Sequence, residues 1–298
     1  MGRWLKRGAL AAGVLVVLGA IAVFAGLQLA DRRMARQVAV QVQPVALPTD
    51  DASLQRGKYL FSSRGCVDCH GSTGMGRVFA DNGDDLRIKG PNITTGKGGV
   101  VAGYRAEDWV RAIRHGVAPS GRPLMIMPSE DYNRFTDADL ASLVAYLKSL
   151  PPAEGTGAEV RLPMVARVLY GFGGIQDAAG KIDHTLPPAA AVAEGVNLQH
   201  GAYVANMCLG CHGEQLVGGR IPGAPPDWPA AANLTPVANS GMADYADPEA
   251  FLRMFKTGVR KDGTKIQVMP FGSLREMNET DVRALHLYLK SLPARPQG

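Results

Sequence analysis

A chain of 298 residues has room for one large domain or two of ordinary size. Its 46% hydrophobic content suffices for a packed core, while 36 glycines, 20 prolines and only 6% aromatics predict short elements joined by many turns. The formal charge of +5 is spread thinly and forms no basic stripe, which excludes nucleic acid as a partner.

The first element is apolar. Arg3, Lys6 and Arg7 precede an uncharged run from Gly8 to Ala30, and Asp31, Arg32, Arg33 and Arg36 come after it. A spanning helix needs about 20 apolar residues. A cleaved signal peptide is the rival, with Val23-Phe24-Ala25 as a tolerable cleavage site. The length of the run and the arginines that close it favour an uncleaved anchor over about 8–30. With arginines on both flanks, the positive-inside rule does not decide the orientation. Residues 31–53 are polar and read as an extended tether, completing an N-terminal segment of 1–53. Fully stretched, about 20 such residues would reach some 60–70 Å at ~3.3 Å each, so domains attached to the tether could swing above a membrane.

Beyond the tether the chain repeats itself. Residues 116–152 match 258–294 at a constant shift of 142, and the same shift carries Cys66 to Cys208, His70 to His212 and Met127 to Met269. "GPNIT" at 90–94 answers "AANLT" at 231–235, and "QRGKYLFSSRGC" at 55–66 answers "QHGAYVANMC" at 199–208 with two residues deleted. The pattern is that of a tandem duplication, with units at 54–152 and 197–298 and a connector at 153–196.

Within each unit the pattern is helical. Leu140, Leu143, Val144 and Leu147 make an amphipathic stripe. Thr136 with Asp139 resembles a capping box, Asn278 with Asp281 repeats it, and Pro151 and Pro293 stop the two helices. Middle helices near Glu107–His115 and Glu249–Thr257 run into Gly116 and Gly258, placed as C-caps. No stretch sustains strand alternation, so the fold class is all-α.

The four cysteines of the chain all lie in "CVDCH" (66–70) and "CLGCH" (208–212). Three chemistries use such a pair. A dithiol redox site needs no histidine and favours a βαβ setting, which is not predicted here. Structural zinc needs four local ligands, whereas these pairs stand 142 residues apart. Covalent haem needs two thiols about one helical turn apart with an imidazole directly after, which is the spacing present. The assignment is therefore two covalently bound haem c groups, at Cys66, Cys69 and His70 and at Cys208, Cys211 and His212.

Each iron held by His70 or His212 needs a second axial ligand. Met127 and Met269 both lie 57 residues beyond their histidines, and both precede proline. Register with the attachment motifs separates them from the ordinary methionine that fills a core. Met125 has no methionine counterpart. A ligating imidazole also needs an acceptor for its other N–H. The remaining histidines (115, 184, 200 and 286) have no counterparts in the repeat and read as surface or satisfied core residues.

On these residues the chain resembles a two-haem class I c-type cytochrome. More narrowly, "GAYVANMCLGCHG", "NLTP", "FLRMFKTGV" and "DVRALHLYLKSLP" resemble the cytochrome c subunits of membrane-bound bacterial alcohol, aldehyde and sugar-acid dehydrogenases. The resemblance implies two tandem class I cytochrome c domains behind a transmembrane helix, with Gly57 and Gly201 on first helices that cross the last near Tyr146 and Tyr288. It makes the carbonyl of Pro91, or of Ala232 in the second unit, the acceptor for the ligating histidine. Haem is attached to such proteins outside the cytoplasmic membrane. That places both units in the periplasm, with a single inner-membrane anchor retained from Met1 or Gly2.

The function expected is electron transfer, with no catalytic residue. Iron held by His and Met offers no open position to substrate, and Met/His ligation raises the potential. The redox partners implied are a membrane dehydrogenase on one side and a cytochrome or terminal oxidase on the other. A two-haem peroxidase is the alternative, and it would need one iron with a releasable ligand.

Overall fold

In the computed structural model the uncharged run builds α1 (Gly2–Ala35), a single helix of 34 residues. It is long enough and apolar enough to cross a membrane. It overruns 8–30 at both ends because Arg and Lys are good helix formers and no Gly-Pro pair interrupts them. The described residues are 2–221, 224–225 and 227–296. Met1 of the expected anchor lies outside them, as do residues 222, 223, 226, 297 and 298 of the expected second unit.

The segment after α1 is extended, yet it is not a free tether. Val42, Val45 and Leu47 pack on the core of the first half. The Val38 N–H donates to the Gly121 carbonyl at 2.9 Å, and Arg122 Nε donates to the Met34 carbonyl at 3.2 Å. Apolar residues spaced through an otherwise polar stretch supply the contacts, which a reading by average polarity passes over.

Then come α2 (Asp51–Ser63), α3 (Cys66–His70), β1 (Val78–Asp81), β2 (Arg87–Lys89), α4 (Ala106–His115), a 3-10 turn at Ser129–Asp131, and α5 (Asp137–Ser149). Next are β3 (Glu159–Arg161), α6 (Met164–Phe172) and α7 (Ala178–Lys181). The last part holds α8 (Leu198–Ala205), a 3-10 turn at Asn206–Cys208, α9 (Leu209–His212), α10 (Pro248–Thr257), α11 (Phe271–Leu274) and α12 (Glu279–Ser291). The fold is mostly helical, but not all-α. The three strands form one small antiparallel sheet, with β2 paired to both β1 and β3. At three or four residues each, they are too short to display alternation.

The halves have separate cores. One gathers Leu60, Phe61, Trp109, Ile113, Leu140, Leu143 and Leu147, the other Val204, Phe251, Phe255, Leu274, Leu285 and Leu289. In each, first and last helices cross where a glycine stands. A Cβ on Gly57 would lie 2.0 Å from the Ser142 carbonyl oxygen and 2.7 Å from Tyr146 Cβ. On Gly201 it would lie 2.1 Å from the Ala284 oxygen and 2.6 Å from Tyr288 Cβ. Gly116 and Gly258 end α4 and α10 in the left-handed region, at φ 64° and 72°.

Thr136 and Asn278 cap α5 and α12 by accepting from the N–H of Asp139 (3.1 Å) and Asp281 (2.8 Å). Neither aspartate completes the expected box by turning back to the cap. Both point into the boundary between the halves, where stronger partners hold them.

Candidate functional site

The two attachment motifs reach similar local geometry. Cys66 to His70 form the single turn α3, and Cys208 stands just before the single turn α9, which ends in His212. His70 Nδ1 lies 3.0 Å from the Pro91 oxygen, and His212 Nδ1 lies 2.8 Å from the Ala232 oxygen. A carbonyl can only accept, so each Nδ1 carries the proton and each Nε2 keeps its lone pair for a ligand. Burial lowers both imidazole pKa values, more than the carbonyl contact raises them, and keeps the rings neutral.

The acceptor carbonyls are themselves fixed. Asn92 Oδ1 accepts from the N–H and hydroxyl of Thr94, and Asn92 Nδ2 donates to the Ala153 carbonyl at 2.7 Å. Asn233, Thr235 and the Arg295 carbonyl repeat the arrangement. The chain leaving each last helix is thereby tied to the loop that orients each histidine.

Burial pushes the thiols of Cys66 and Cys208 up to about 12 and that of Cys69 up to about 11; Cys211 is raised as well. A disulfide-exchange pair has at least one thiol lowered toward neutrality, so this environment is wrong for dithiol redox chemistry. Among the described residues no cluster of three or more His, Cys, Asp or Glu could hold a metal ion by itself. Structural zinc loses its ligand set. Two thiols and a neutral, oriented imidazole on one helical turn fit a covalently attached haem.

Met127 and Cys66 border the same core, and Met269 and Cys208 border the other. Each methionine opens a matching turn. The Met127 carbonyl accepts from Ser129 N at 2.9 Å, and the Met269 carbonyl accepts from Phe271 N at 2.8 Å. Pro128 and Pro270 sit between, with φ fixed for the turn.

Those turns meet the attachment helices across the boundary. Asp68 of α3 accepts from the Ser273 hydroxyl of α11 at 2.6 Å, while Asp131, close after Met127, accepts from the Gly210 N–H of α9 at 3.0 Å. The repeat equates Asp68 with Gly210 and Asp131 with Ser273. The contact is therefore a pseudo-twofold one, in which each half presents the same surface to the other.

The same symmetry governs two aspartates whose sequence pattern marks them only as cap residues. Asp139 accepts from Arg56 of its own half (2.8 and 2.9 Å) and from the Tyr203 hydroxyl of the other (2.6 Å). Asp281 accepts from His200 of its own half and the Tyr59 hydroxyl of the other, both at 2.6 Å, and from Arg64 of the first half. Each tyrosine oxygen also accepts the N–H of the opposite cap residue, Thr136 or Asn278. Tyr59–Tyr203 and Asp139–Asp281 are equated by the repeat; that shared identity was the signal available in the sequence. Burial raises the Asp281 carboxyl, but Arg64 beside it and three donors outweigh that and hold it at about 2.

The other histidines are satisfied structurally. His115 Nδ1 faces His184 Nδ1 at 3.0 Å, and His286 Nε2 donates to the Tyr245 carbonyl at 2.7 Å.

Residues 54–151 match the cytochrome c family. This stretch is a cytochrome c domain. Such a domain implies covalently bound haem c, the group that the thiols and imidazoles fit. The chain is 27% identical over 287 residues to the fructose dehydrogenase cytochrome subunit of Gluconobacter japonicus, covering 86% of this chain and 56% of that protein. It is 27% identical over 280 residues to the gluconate 2-dehydrogenase cytochrome c subunit of Pantoea cypripedii, covering 83% and 61%. A diheme c-type cytochrome of Cereibacter sphaeroides is 30% identical over 176 residues, 55% of this chain and 56% of its own. The chain thus spans about three fifths of the length of the dehydrogenase subunits it matches.

Proposed function

We propose that this protein is a membrane-anchored electron-transfer subunit with two tandem cytochrome c domains, at 54–152 and 197–298. The observation that carries the proposal is the doubled site: two Cys-x-x-Cys-His turns, each with its imidazole Nδ1 on a backbone carbonyl and a Met-Pro turn bordering the same core. Cys66 and Cys69, and Cys208 and Cys211, serve as covalent anchors. His70 and Met127 would hold one iron, and His212 and Met269 the other. Haem bound there supplies a one-electron carrier in each half. With two ligands supplied to each iron by the chain, neither site would leave a position for peroxide, and the peroxidase reading is not favoured. The relatives named as dehydrogenase subunits support a membrane dehydrogenase as donor, with a downstream cytochrome or terminal oxidase as acceptor. In this reading α1 crosses the inner membrane with Arg3, Lys6 and Arg7 inside, and residues after α1 lie in the periplasm.

A pyridine haemochrome assay with intact mass tests the core of this proposal. Two haems per chain, resistant to acidified solvent and with low-spin spectra in both oxidation states, are expected. One haem per chain, or a high-spin signal that grows with added peroxide, would count against it.

A further inference from the structure

The root of α1 is packed against α6. Gly26 and Ala30 are the buried residues of α1, and a Cβ on Gly171 of α6 would fall 2.0 Å from the Gly26 carbonyl oxygen. A Cβ on Gly26 would in turn lie 2.9 Å from both Val168 and Phe172. Backbones brought this close by small residues are the usual device for pairing helices in lipid. Polar ties flank the contact. Arg167 of α6 pairs with Asp31 at 2.7 Å, the Arg33 guanidinium lies 5.1 Å from the Tyr170 ring centre, and Arg36 forks onto Asp177 at 2.6 and 2.7 Å. The Tyr170 hydroxyl also donates to Asp177, at 2.5 Å.

Beside that contact, α6 leaves apolar side chains largely uncovered, Phe172 among them although its ring edge reaches Gly26. Met164, Val165, Leu169 and Phe172 are 55%, 66%, 46% and 57% exposed. At 100° per residue they fall within about 140° of the helix circumference, an arc that adjoins the α1 contact at Val168. A continuous apolar face on a short surface helix marks an interaction site, not scattered surface noise. Its position names the occupant. A span begun at Gly8 uses up about 20 residues by Leu27, so α6 meets α1 where that helix leaves the hydrocarbon. Arg32 in the last turn of α1 and Arg161 just before α6 are exposed, positive charge suited to lipid phosphates at that level.

We infer that the outward face of α6 is seated in the outer interface of the membrane that α1 crosses, and that α1 is retained as its packing partner. This rests on the anchor reading above. The contact residues Gly26 and Ala30 lie at the end of the span, so the same helix that crosses the membrane carries α6 at its root. Seated in this way, α6 fixes the first domain against the bilayer, since Arg36, Asp177 and Tyr170 join the α1 root to the connector.

The test uses the full-length holoprotein in nanodiscs of phosphatidylethanolamine and phosphatidylglycerol. p-Benzoylphenylalanine is placed singly at Leu169 or Phe172, at Leu15 within α1, and at Leu287, an exposed position on α12. All four side chains are substantially exposed, so the probe has room at each position. Photolysis should yield lipid adducts by mass at 169 and 172 in yields comparable to 15, and none above background at 287. Adducts at 15 but not at 169 or 172 would overturn the inference while leaving the anchor intact. A purified chain lacking residues 2–25 would overturn both. Protein-sized adducts in place of lipid at 172, in native membranes, would replace the bilayer with a subunit and also overturn the inference.

Discussion

His70 and His212 reach the same arrangement from different sequences, since the acceptor carbonyl belongs to Pro91 in one half and Ala232 in the other. What the site requires is a main-chain oxygen at hydrogen-bond distance, and the Asn-x-Thr clamp next to it supplies its position in both halves. Side chains matter more on the opposite face of each proposed haem. Met127→Leu and Met269→Leu keep volume while removing the thioether. Each variant should lose half of the far-red methionine–iron charge-transfer absorption and lower one of two midpoint potentials, leaving the other unchanged. Spectroelectrochemical titration reads both. A variant that keeps the full band would transfer the role elsewhere, with Met125 first in the first half. The proposed attachment residues stand out in the sequence because covalent haem demands a fixed local spacing. The proposed second ligands stand out only through the repeat, which marks two methionines out of eleven.

The helices lean on close approaches that a methyl group would prevent. Gly57 and Gly201 let α2 and α8 touch the backbones of α5 and α12, with an added Cβ about 2 Å from a carbonyl oxygen in each case. Gly57→Ala should therefore destabilise the first half, and Gly201→Ala the second, by about 1–3 kcal/mol as overpacked core variants do. Urea unfolding followed by the haem absorption of each half measures this, and a change within error for both would refute the crossing. These helices could be read in advance because their stripes, caps and stops agree with one another. Asp50, Thr136, Asn197 and Asn278 each accept from an N–H of the first turn. The sheet could not be read. Its strands are too short for a period, and β2 meets β3 some 70 residues away through pairing that local pattern does not encode. The residues after α1 escape a sequence reading for a related reason. Val42, Val45 and Leu47 are ordinary in composition and matter only because a core lies beneath them.

Docking of that segment changes what the whole molecule can do. A domain held to the α1 root through Arg36–Asp177, and to its preceding chain through Val38 and Gly121, does not sweep 60 Å above a membrane. In the proposed function partners would have to come to it, and electrons passing between the two sites would cross the seam between the halves. That seam is built from charge as much as from apolar contact. Arg64 and Asp281 are 3% and 0% exposed in their side chains, whereas on the pseudo-symmetric side Arg56 is 22% exposed beside Asp139. The segment before Cys208 holds no arginine to match Arg64, so the symmetry fails at the one fully buried cation among the described residues of the seam. Removing one partner of a buried pair strands the other, at about 3–5 kcal/mol. Asp281→Asn should therefore cost about that much, and Asp139→Asn distinctly less, because Arg56 can turn to water. The pH dependence has its origin in the same residue. Asp281 is held at about 2, below the usual carboxylate range, so the unfolded chain binds the proton first as the solution is acidified. Its contribution is complete above roughly pH 4 and is lost as pH falls through 2. Stability measured by urea unfolding should fall over that window in the native protein and fall less in Asp281→Asn. Equal costs for the two substitutions, or an unchanged acid slope, would mean that the seam does not depend on this pair.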